Sequence, residues 1–271
     1  PIRLLRSGRD CGNDRRKREK MEERLNKWLS QMGVCSRREA DRLIEAGKVL
    51  VDNRPASMGQ KVTPGQKVVC NGKMVRVDRS QRPRPVLLAV NKPKGIVCTT
   101  TDKDRAENIV DFLGYPERIY PVGRLDKDSE GLLLMTNQGD LVNKIMRSGN
   151  AHEKEYIVTI DKPVTERFLE QMAGGIRLPE LDQVTRPCKV KKVERNTFSI
   201  ILTQGLNRQI RRMCEVCGCQ VRRLVRVRIM NIRLGNLRTG AYRQITKEEY
   251  EELTGLLKDS SSLSLKERKN Q

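Results

Sequence analysis

One short segment of the chain combines charged residues with a strand pattern in a way that suits an active site. Residues 123–131 place Asp126 between Arg124 and Lys127 and lead directly into the apolar run 132–135. The polar part predicts a loop, and the apolar run predicts a buried strand. Loops at the ends of buried strands often carry catalytic groups, and a carboxylate between two cations is a candidate for one. Asp126 is therefore the first candidate for a catalytic residue.

Three further polar stretches lie at the ends of predicted elements, at residues 91–95, 154–156 and 205–213. An isolated carboxylate, an arginine and one aromatic ring could act on a base flipped out of RNA. The arginine would keep the carboxylate ionised, and the ring would stack on the base. Such a site needs no metal and no cofactor. The chain has no glycine-rich phosphate loop, and its single histidine, His152, leaves no Ser-His-Asp candidate.

The composition indicates a nucleic-acid partner. The chain of 271 residues has 55 Lys and Arg against 34 Asp and Glu, a formal net charge of +21. This excess favours nucleic acid first and an acidic membrane surface second. No apolar run approaches the roughly 18 residues that span a membrane. Aromatic residues make up only 3% of the chain, which excludes a broad stacking platform for single strands.

The eight cysteines indicate reduced thiols in a cytoplasmic protein, because the chain is too large to need disulfides and shows no secretory signal. Cys214, Cys217 and Cys219 form a cluster that could suggest zinc, but a fourth ligand would have to come from a distant cysteine or from His152. Cys214 and Cys217 fall on the same helical spacing as apolar neighbours. We therefore interpret them as core residues and predict no metal site.

Composition also divides the chain into segments. Residues 22–78 and 86–257 carry the apolar patterns of folded domains, whereas the remaining segments are polar. We predict a disordered basic arm over 1–21, a linker over 79–85 and a disordered tail over 258–271. Met21 is a candidate for the natural start of the protein.

The sequence of the first domain predicts two short helices followed by small strands. Its second helix should open at the capping-box pattern of Ser36–Glu39 and expose Arg37, Arg38 and Arg42. These motifs, with Arg24–Leu29 and Gly47–Asp52, resemble the S4 RNA-binding domain. The resemblance implies that the second helix lies on the RNA backbone, although a merely solvated helix face is the alternative.

The second domain alternates predicted strands with helices, which suggests an α+β fold around one sheet. Strand patterns cover residues 86–90, 132–136, 156–160, 198–202 and 225–232, and helical patterns cover residues 141–146 and 210–217.

Four motifs of the second domain, at residues 91–95, 123–136, 154–156 and 205–213, resemble those of pseudouridine synthases in the order expected for that family. With an S4-like domain in front of these motifs, the chain resembles the RsuA branch of the family, which acts on ribosomal RNA. The resemblance implies a small αL-type S4 domain and a catalytic domain built on a mixed, largely antiparallel sheet.

The resemblance also implies residue roles. Asp126 matches the essential aspartate, although Asp104 and Asp128 compete with it on loop physics alone. Arg124 would enter the RNA helix where the base leaves, and Arg211 would be the basic partner of the aspartate. Tyr156 would pack on the uracil, a core aromatic being the alternative. The remaining expected contacts are Asn207 and Arg208 to the substrate, and Arg37, Arg38, Arg42 and Lys92 to the RNA backbone.

The reaction implied is the isomerisation of a uridine in a 23S rRNA stem-loop by a monomeric, cofactor-free cytoplasmic enzyme. Asp126 would either attack C1′ of the ribose or remove the C2′ proton, and the sequence does not choose between these routes. The alternatives are a 16S rRNA site, a tRNA anticodon stem-loop, or a non-catalytic S4-type RNA-binding factor.

Overall fold

The computed structural model describes residues 22–76, 84–99 and 106–260. The chain divides into two compact units between Arg84 and Pro85. The predicted arm, most of the linker, the tail beyond residue 260 and Asp104 lie outside the described residues, and the domain bounds taken from composition stay predictions. No helix in the described ranges is long and apolar enough to cross a membrane.

The first unit packs two helices against small antiparallel strands. Its strands form a four-stranded sheet, in the order β3-β2-β5-β6, and a separate pair, β1 with β4. Buried residues of both helices and of the strands form one core, which includes Leu25, Trp28 and Ile44. The elements are β1 (Glu23–Arg24), α1 (Leu25–Gln31), α2 (Arg37–Glu45), β2 (Val49–Val51), β3 (Arg54–Pro55), β4 (Lys61–Val62), β5 (Lys67–Cys70) and β6 (Lys73–Arg76).

Helix α2 has the cap and the basic face that its sequence predicts. The Ser36 side chain accepts a hydrogen bond from the backbone N–H of Glu39 at 3.1 Å, which satisfies one of the unpaired donors at the helix start. Ala40, Leu43 and Ile44 are buried on one side of the helix. The side chains of Arg37, Arg38 and Arg42 are exposed. Because the apolar stripe packs into the core, the three arginines on the rest of the helix surface are exposed to solvent.

The second unit is built on one mixed, mostly antiparallel sheet, as the α+β prediction required. Its main path runs β13-β14-β10-β15-β9-β7-β17, while β16 pairs with β15 and β8 with β9. The strands are β7 (Leu87–Lys92), β8 (Tyr120–Pro121), β9 (Glu130–Thr136), β10 (Lys154–Ile160), β13 (Lys189–Glu194), β14 (Thr197–Leu202), β15 (Val221–Ile229), β16 (Ile232–Arg233) and β17 (Tyr242–Gln244), with a separate hairpin of β11 (Arg177–Leu178) and β12 (Gln183–Val184).

Five helices accompany the sheet in the described residues, and the sequence patterns predicted only two of them. The helices are α3 (Ile109–Leu113), α4 (Gly139–Met146), α5 (Glu166–Gly174), α6 (Gln209–Val216) and α7 (Lys247–Leu256), of which α4 and α6 are the two predicted. Helix α5 buries only Phe168 and Met172. Helix α7 buries only Leu253, although it begins at a complete capping box of Thr246 and Glu249. Because their apolar stripes are narrow, the caps were the better signal.

The predicted strand over residues 225–232 is wrong in its extent. Strand β15 begins at Val221 and ends at Ile229, and the chain then reverses into β16. Met230, at the reversal, has a positive φ of 52°. The apolar residues continue through this turn and no glycine marks it, so the sequence pattern did not reveal the turn.

The sheet contains one parallel contact, between β9 and β15. It consists of two residue pairs, Val225 with Glu130 and Arg226 with Gly131. Gly131 has a φ of +104°, and a Cβ built on it would lie 2.4 Å from the backbone oxygen of Arg226. A side chain at this position would therefore meet backbone that has little room to move.

We predict that Gly131→Ala destabilises the protein by about 2 kcal/mol or more, because the substitution combines a left-handed backbone with a clash against β15. Urea unfolding would measure the loss. Gly174→Ala is the matched control, because Gly174 lies in helix α5 and its Cβ would meet nothing within 4 Å. That variant should be neutral or slightly stabilising. Equal stability of the two variants would contradict the argument.

Candidate active site

A cavity of about 520 Å³ in the second unit collects the predicted site residues. All six residues assigned to catalysis or substrate binding line it, although they come from three distant segments of the chain: Arg124, Asp126, Tyr156, Asn207, Arg208 and Arg211. The structure thus brings together the predicted groups that were expected to act on one base.

Asp126 lies in the loop between β8 and β9, on the rim of the cavity. Its side chain is 37% exposed, so the carboxylate is reachable from solvent. Its backbone oxygen accepts a hydrogen bond from the N–H of Ser129 at 3.0 Å, which makes a tight turn. The oxygen of Lys127 accepts one from the N–H of Gly95 at 2.8 Å. The motif at residues 91–95 therefore helps to hold the loop.

The expected pairing of Arg211 with Asp126 differs from the observed contacts. The Nε of Arg211 lies 3.3 Å from Oδ2 of Asp128, and its Nη2 donates to the backbone oxygen of Asp128 at 3.0 Å and to the hydroxyl of Ser129 at 3.2 Å. The contact at Nε is close in distance without hydrogen-bond alignment. Arg211 is buried, so it braces the loop from beneath and leaves the Asp126 carboxylate at the rim.

Arg208 forms an ion pair with Asp126. One of its nitrogens lies 4.0 Å from Oδ2 of Asp126, and both terminal nitrogens donate to the Asp128 carboxylate at 3.2 Å. Arg208 precedes helix α6 in a left-handed conformation, with a φ of 49°. Such a backbone is costly for a side chain other than glycine and is often found at functional sites.

The Asp128 carboxylate contacts both Arg208 and Arg211, and these two cations keep it ionised. Partial burial raises the pKa of this carboxyl, but the hydrogen bonds from Arg208 and the charges of Arg211 and Arg208 outweigh burial, and the pKa lies below its usual value. The carboxyl of Asp128 is thus committed to two arginines. This favours Asp126 over Asp128 as the group free to act on a substrate.

Lys92 does not lie where an RNA backbone could reach it, so that prediction is wrong. The side chain is fully buried, and its Nζ donates to the backbone oxygens of Pro93 at 2.7 Å and Ser129 at 2.9 Å. Burial lowers the pKa of Lys92, while Cys98, Asp128 and Asp126 favour the charged form. The lysine is buried because strand β7 runs in the middle of the sheet, with β9 and β17 on its two sides.

Arg226 is a further cavity residue that the sequence reading missed. It lies on β15 and is 2% exposed. Its Nε donates to the backbone oxygen of Leu132 at 2.7 Å, and its Nη1 donates to that of Arg124 at 3.3 Å. It therefore connects the two ends of the loop that carries Asp126. The available signal was alternation, because Arg226 follows the buried Leu224 by two residues on a strand.

Lys154 is a second missed cavity residue. It is 6% exposed, and its Nζ donates to the backbone oxygen of His152 at 3.3 Å. Burial, together with the nearby charge of Arg226, lowers the pKa of Lys154 to about 8. Lys154 and Arg226 are thus two buried cations that line the cavity.

Tyr156 lies on β10 with its ring partly buried. It packs against the core formed by residues such as Val158 and Ile200, and it also lines the cavity beside Leu202 and Leu224. The ring therefore has one side supported by apolar packing, while part of it faces the cavity. This arrangement suits an aromatic ring that stacks on a base.

The loop before helix α6 is organised by its own side chains. The Asn207 side chain, expected to contact substrate, accepts a hydrogen bond from Arg212 at 3.3 Å. Arg212 also pairs with Glu180. Gln209 is buried, and its Oε1 accepts a hydrogen bond from the backbone N–H of Leu206 at 3.1 Å. Asn207 thus has a partner within the protein even though it lines the cavity.

The cysteine cluster lies in the core of the second unit. Cys214 and Cys219 are buried and Cys217 packs against the same core. The described cysteines carry free thiols. Within the described ranges, no three His, Cys, Asp or Glu side chains are grouped as a metal site would require.

Comparison with known proteins matches both units to families. A model of the RNA pseudouridylate synthase family matches residues 86–216, and a model of the S4 domain matches residues 23–68. The chain is 52% identical over 239 residues to the dual-specificity RNA pseudouridine synthase RluF of Escherichia coli strain K12, an alignment covering 88% of this chain and 81% of that protein.

More distant relatives give the same picture. The ribosomal large subunit pseudouridine synthase B of Bacillus subtilis strain 168 is 36% identical over 86% of this chain and 96% of its own length. A crystal structure of a pseudouridylate synthase superposes with a TM-score of 0.62 at 27% identity, covering 85% of this chain and 99% of that chain.

We predict that Lys154 makes stability depend on alkaline pH. Its folded-state pKa of about 8 lies below the unfolded value of 10.5, so between these values the unfolded chain binds more protons and stability rises with pH. Relative to Lys154→Met, the wild-type free energy of unfolding should gain up to about 3 kcal/mol between pH 7 and pH 10.5. Urea unfolding across this range measures the difference. Lys191→Met, which removes an exposed lysine of β13, should show no such trend. A pH-independent difference for Lys154→Met would contradict the burial argument.

Proposed function

This chain belongs to the family of RNA pseudouridine synthases, which are isomerases, and we propose that it converts a specific uridine to pseudouridine in a stem-loop of 23S rRNA. The observation that carries the proposal is the placement of Asp126 on the rim of a cavity that Tyr156 also lines. Two relatives support the choice of RNA. One is named for the ribosomal large subunit, and the other is a dual-specificity RNA enzyme.

The reaction needs three events at one site. The uridine leaves its helix, the bond between uracil N1 and ribose C1′ breaks, and C5 of the turned base joins C1′. A base inside a stem cannot reach a rim carboxylate, so the nucleotide is flipped into the cavity. Arg124, whose side chain is exposed at the rim, takes the place that the base leaves. Tyr156 stacks on the flipped uracil.

Asp126 is the group that acts on the sugar. It either attacks C1′ or removes the C2′ proton, and both routes need an ionised carboxylate with a free oxygen. The Asp128 carboxylate is held by Arg208 and Arg211, whereas Asp126 has only the 4.0 Å contact with Arg208 among the ion pairs seen in the described residues. This division supports Asp126 as the reacting carboxylate. Every step described is carried by side chains of the protein.

The first unit binds RNA through helix α2. Its three exposed arginines, Arg37, Arg38 and Arg42, lie along one helix, and Glu39 pairs with Arg42 at 3.3 Å. Exposed cations in such a row contact phosphates and contribute affinity rather than sequence choice. The first unit thus holds the RNA, and the second unit selects and rearranges one base.

A second RNA substrate is favoured by one observation, the dual specificity of the relative that is 52% identical. We infer that a tRNA anticodon stem-loop, which presents a loop of similar shape, is modified by the same cavity.

The proposal predicts where pseudouridine is lost when the protein is absent. Site-specific pseudouridine mapping of 23S rRNA, 16S rRNA and tRNA should reveal a missing site in a 23S stem-loop of cells that lack the protein. Expression of the wild-type protein should restore it, whereas Asp126→Asn should not, because the amide cannot act as a base or nucleophile. RNA binding by this variant should be retained.

Asp182→Asn is the matched control, because this exposed aspartate has a left-handed backbone that asparagine also adopts. It should restore modification in full. Loss of pseudouridine only from 16S rRNA, or restoration by Asp126→Asn, would contradict the proposal.

We predict that the triple variant Arg37→Gln, Arg38→Gln, Arg42→Gln binds the RNA stem-loop more weakly and with less salt dependence. Each lost phosphate contact should reduce the slope of log K against log salt by about 0.7–0.9, so the loss of three contacts should change it by about 2 to 3. Filter binding at several salt concentrations measures it. The single-turnover rate at saturating protein should not change.

The control removes the same charge from positions outside helix α2, through Lys48→Gln, Lys67→Gln and Lys73→Gln, all of which are exposed lysines. The salt slope of that variant should stay close to the wild-type value. An equal loss in both variants would show that helix α2 is not the specific RNA surface.

A further inference from the structure

Two buried cations lie beside the ring that stacks on the base. Tyr156 on β10 is directly opposite Arg226 on β15, and Lys154 precedes Tyr156 by two residues. Lys154 and Tyr156 pair with Leu202 and Ile200 of β14, which both belong to the core. The sheet register therefore presents Lys154, Tyr156 and Arg226 on one face, and all three line the cavity.

The charge of these two cations is not balanced by an acidic partner among their hydrogen bonds in the described residues. Arg226 donates to the backbone oxygens of Leu132 and Arg124, and its Nη2 is buried without a hydrogen-bond partner. Lys154 donates to the backbone oxygen of His152. Backbone oxygens carry only partial charge. A buried cation without an opposite charge is unfavourable, so this part of the cavity is suited to an anion.

The reaction of the proposed function creates such an anion. When the bond between N1 and C1′ breaks, its electron pair stays on N1, and uracil becomes negatively charged. C1′ then either bonds to an oxygen of Asp126 or forms a double bond with C2′ as Asp126 takes the C2′ proton. Afterwards C5 bonds to C1′ as the ester bond between C1′ and Asp126 breaks or, in the other route, as C2′ takes its proton back from Asp126. The proton on C5 is then lost and N1 is protonated. The base therefore carries the negative charge while it is detached.

We propose that Arg226 and Lys154 stabilise the detached uracil anion, and that the unpartnered Nη2 of Arg226 donates a hydrogen bond to it. This inference rests on the proposed function and adds a role for the two buried cations. Charged groups fixed beside a developing charge lower the barrier because they need no rearrangement during the reaction. Being shielded from water, they act more strongly than surface cations would.

Arg226 also connects the two ends of the Asp126 loop, so loss of activity in a variant would not by itself reveal the electrostatic role. The test must depend on the charge that develops on the base. Fluorine at C5 withdraws electrons, which makes the uracil anion more stable and less dependent on the protein. The two probes are therefore one RNA stem-loop with uridine at the mapped site and the same stem-loop with 5-fluorouridine there.

The measurement is the single-turnover rate of N-glycosidic bond cleavage at saturating protein, followed by nucleoside analysis. Arg226→Met should slow the uridine RNA about 100-fold, within the range for removing one fixed donor at a developing charge. It should slow the 5-fluorouridine RNA about tenfold less. The rate on the 5-fluorouridine RNA divided by the rate on the uridine RNA should therefore be about tenfold higher than for wild type. Lys154→Met should raise the ratio in the same direction, and Arg226→Lys, which keeps the charge, should stay nearer to wild type.

Arg222→Met is the matched control, because it removes an exposed arginine from the same strand, β15. Its ratio should equal that of wild type. Equal slowing of both RNAs by Arg226→Met and Lys154→Met would overturn the inference and leave Arg226 as a positioning residue for the loop. If Arg226→Met does not fold, as judged by its thermal melt, Lys154→Met and Arg226→Lys decide. Wild-type inactivity on the uridine RNA would instead contradict the proposed function.

Discussion

The loop that carries Asp126 is held through its backbone oxygens by long cationic side chains from three other elements. Lys92 of β7 binds the oxygen of Ser129, and Arg211 of helix α6 binds that of Asp128. Arg226 of β15 binds the oxygens of Arg124 and Leu132, at the two ends of the loop. Because the acceptors are backbone atoms, these bonds restrain the path of the chain directly. The carboxylate of Asp126, which we propose as the reacting group, is thereby held at the cavity with its oxygens outside these bonds.

This restraint also sets the electrostatics of the cavity. Lys92, Lys154 and Arg226 are buried, and their hydrogen bonds to backbone oxygens offset only part of the cost of removing a charge from water. The side chains of Asp126 and Asp128 are more exposed, at 37% and 48%, and Arg208 contacts both. The buried groups around the site are therefore cationic, whereas the exposed groups carry both charges. Such a distribution suits a substrate whose base gains negative charge deep in the site.

Much of the fold follows from local patterns in the sequence. The cap at Ser36 and the apolar stripe of helix α2 predict that helix, and the α+β class follows from the order of apolar runs. The strands begin earlier than their apolar runs, at Glu130 and Lys154, because pairing with neighbouring strands continues through charged residues. Helices α5 and α7 bury few residues, so periodicity alone does not reveal them. Local sequence therefore predicts element types better than element ends.

The motif spacing was enough to select the three segments that meet at the cavity: the loop of Asp126, the strand of Tyr156 and the turn before helix α6. The contacts of each cation depend on packing between distant segments. Lys92 and Arg226 look like surface charges in the sequence, and only the sheet pairing buries them. The parallel contact of β9 with β15 places Arg226 beside Gly131, from a strand more than ninety residues later. The physical reason is that a long cationic side chain can be solvated or buried, and only packing from distant segments chooses between the two.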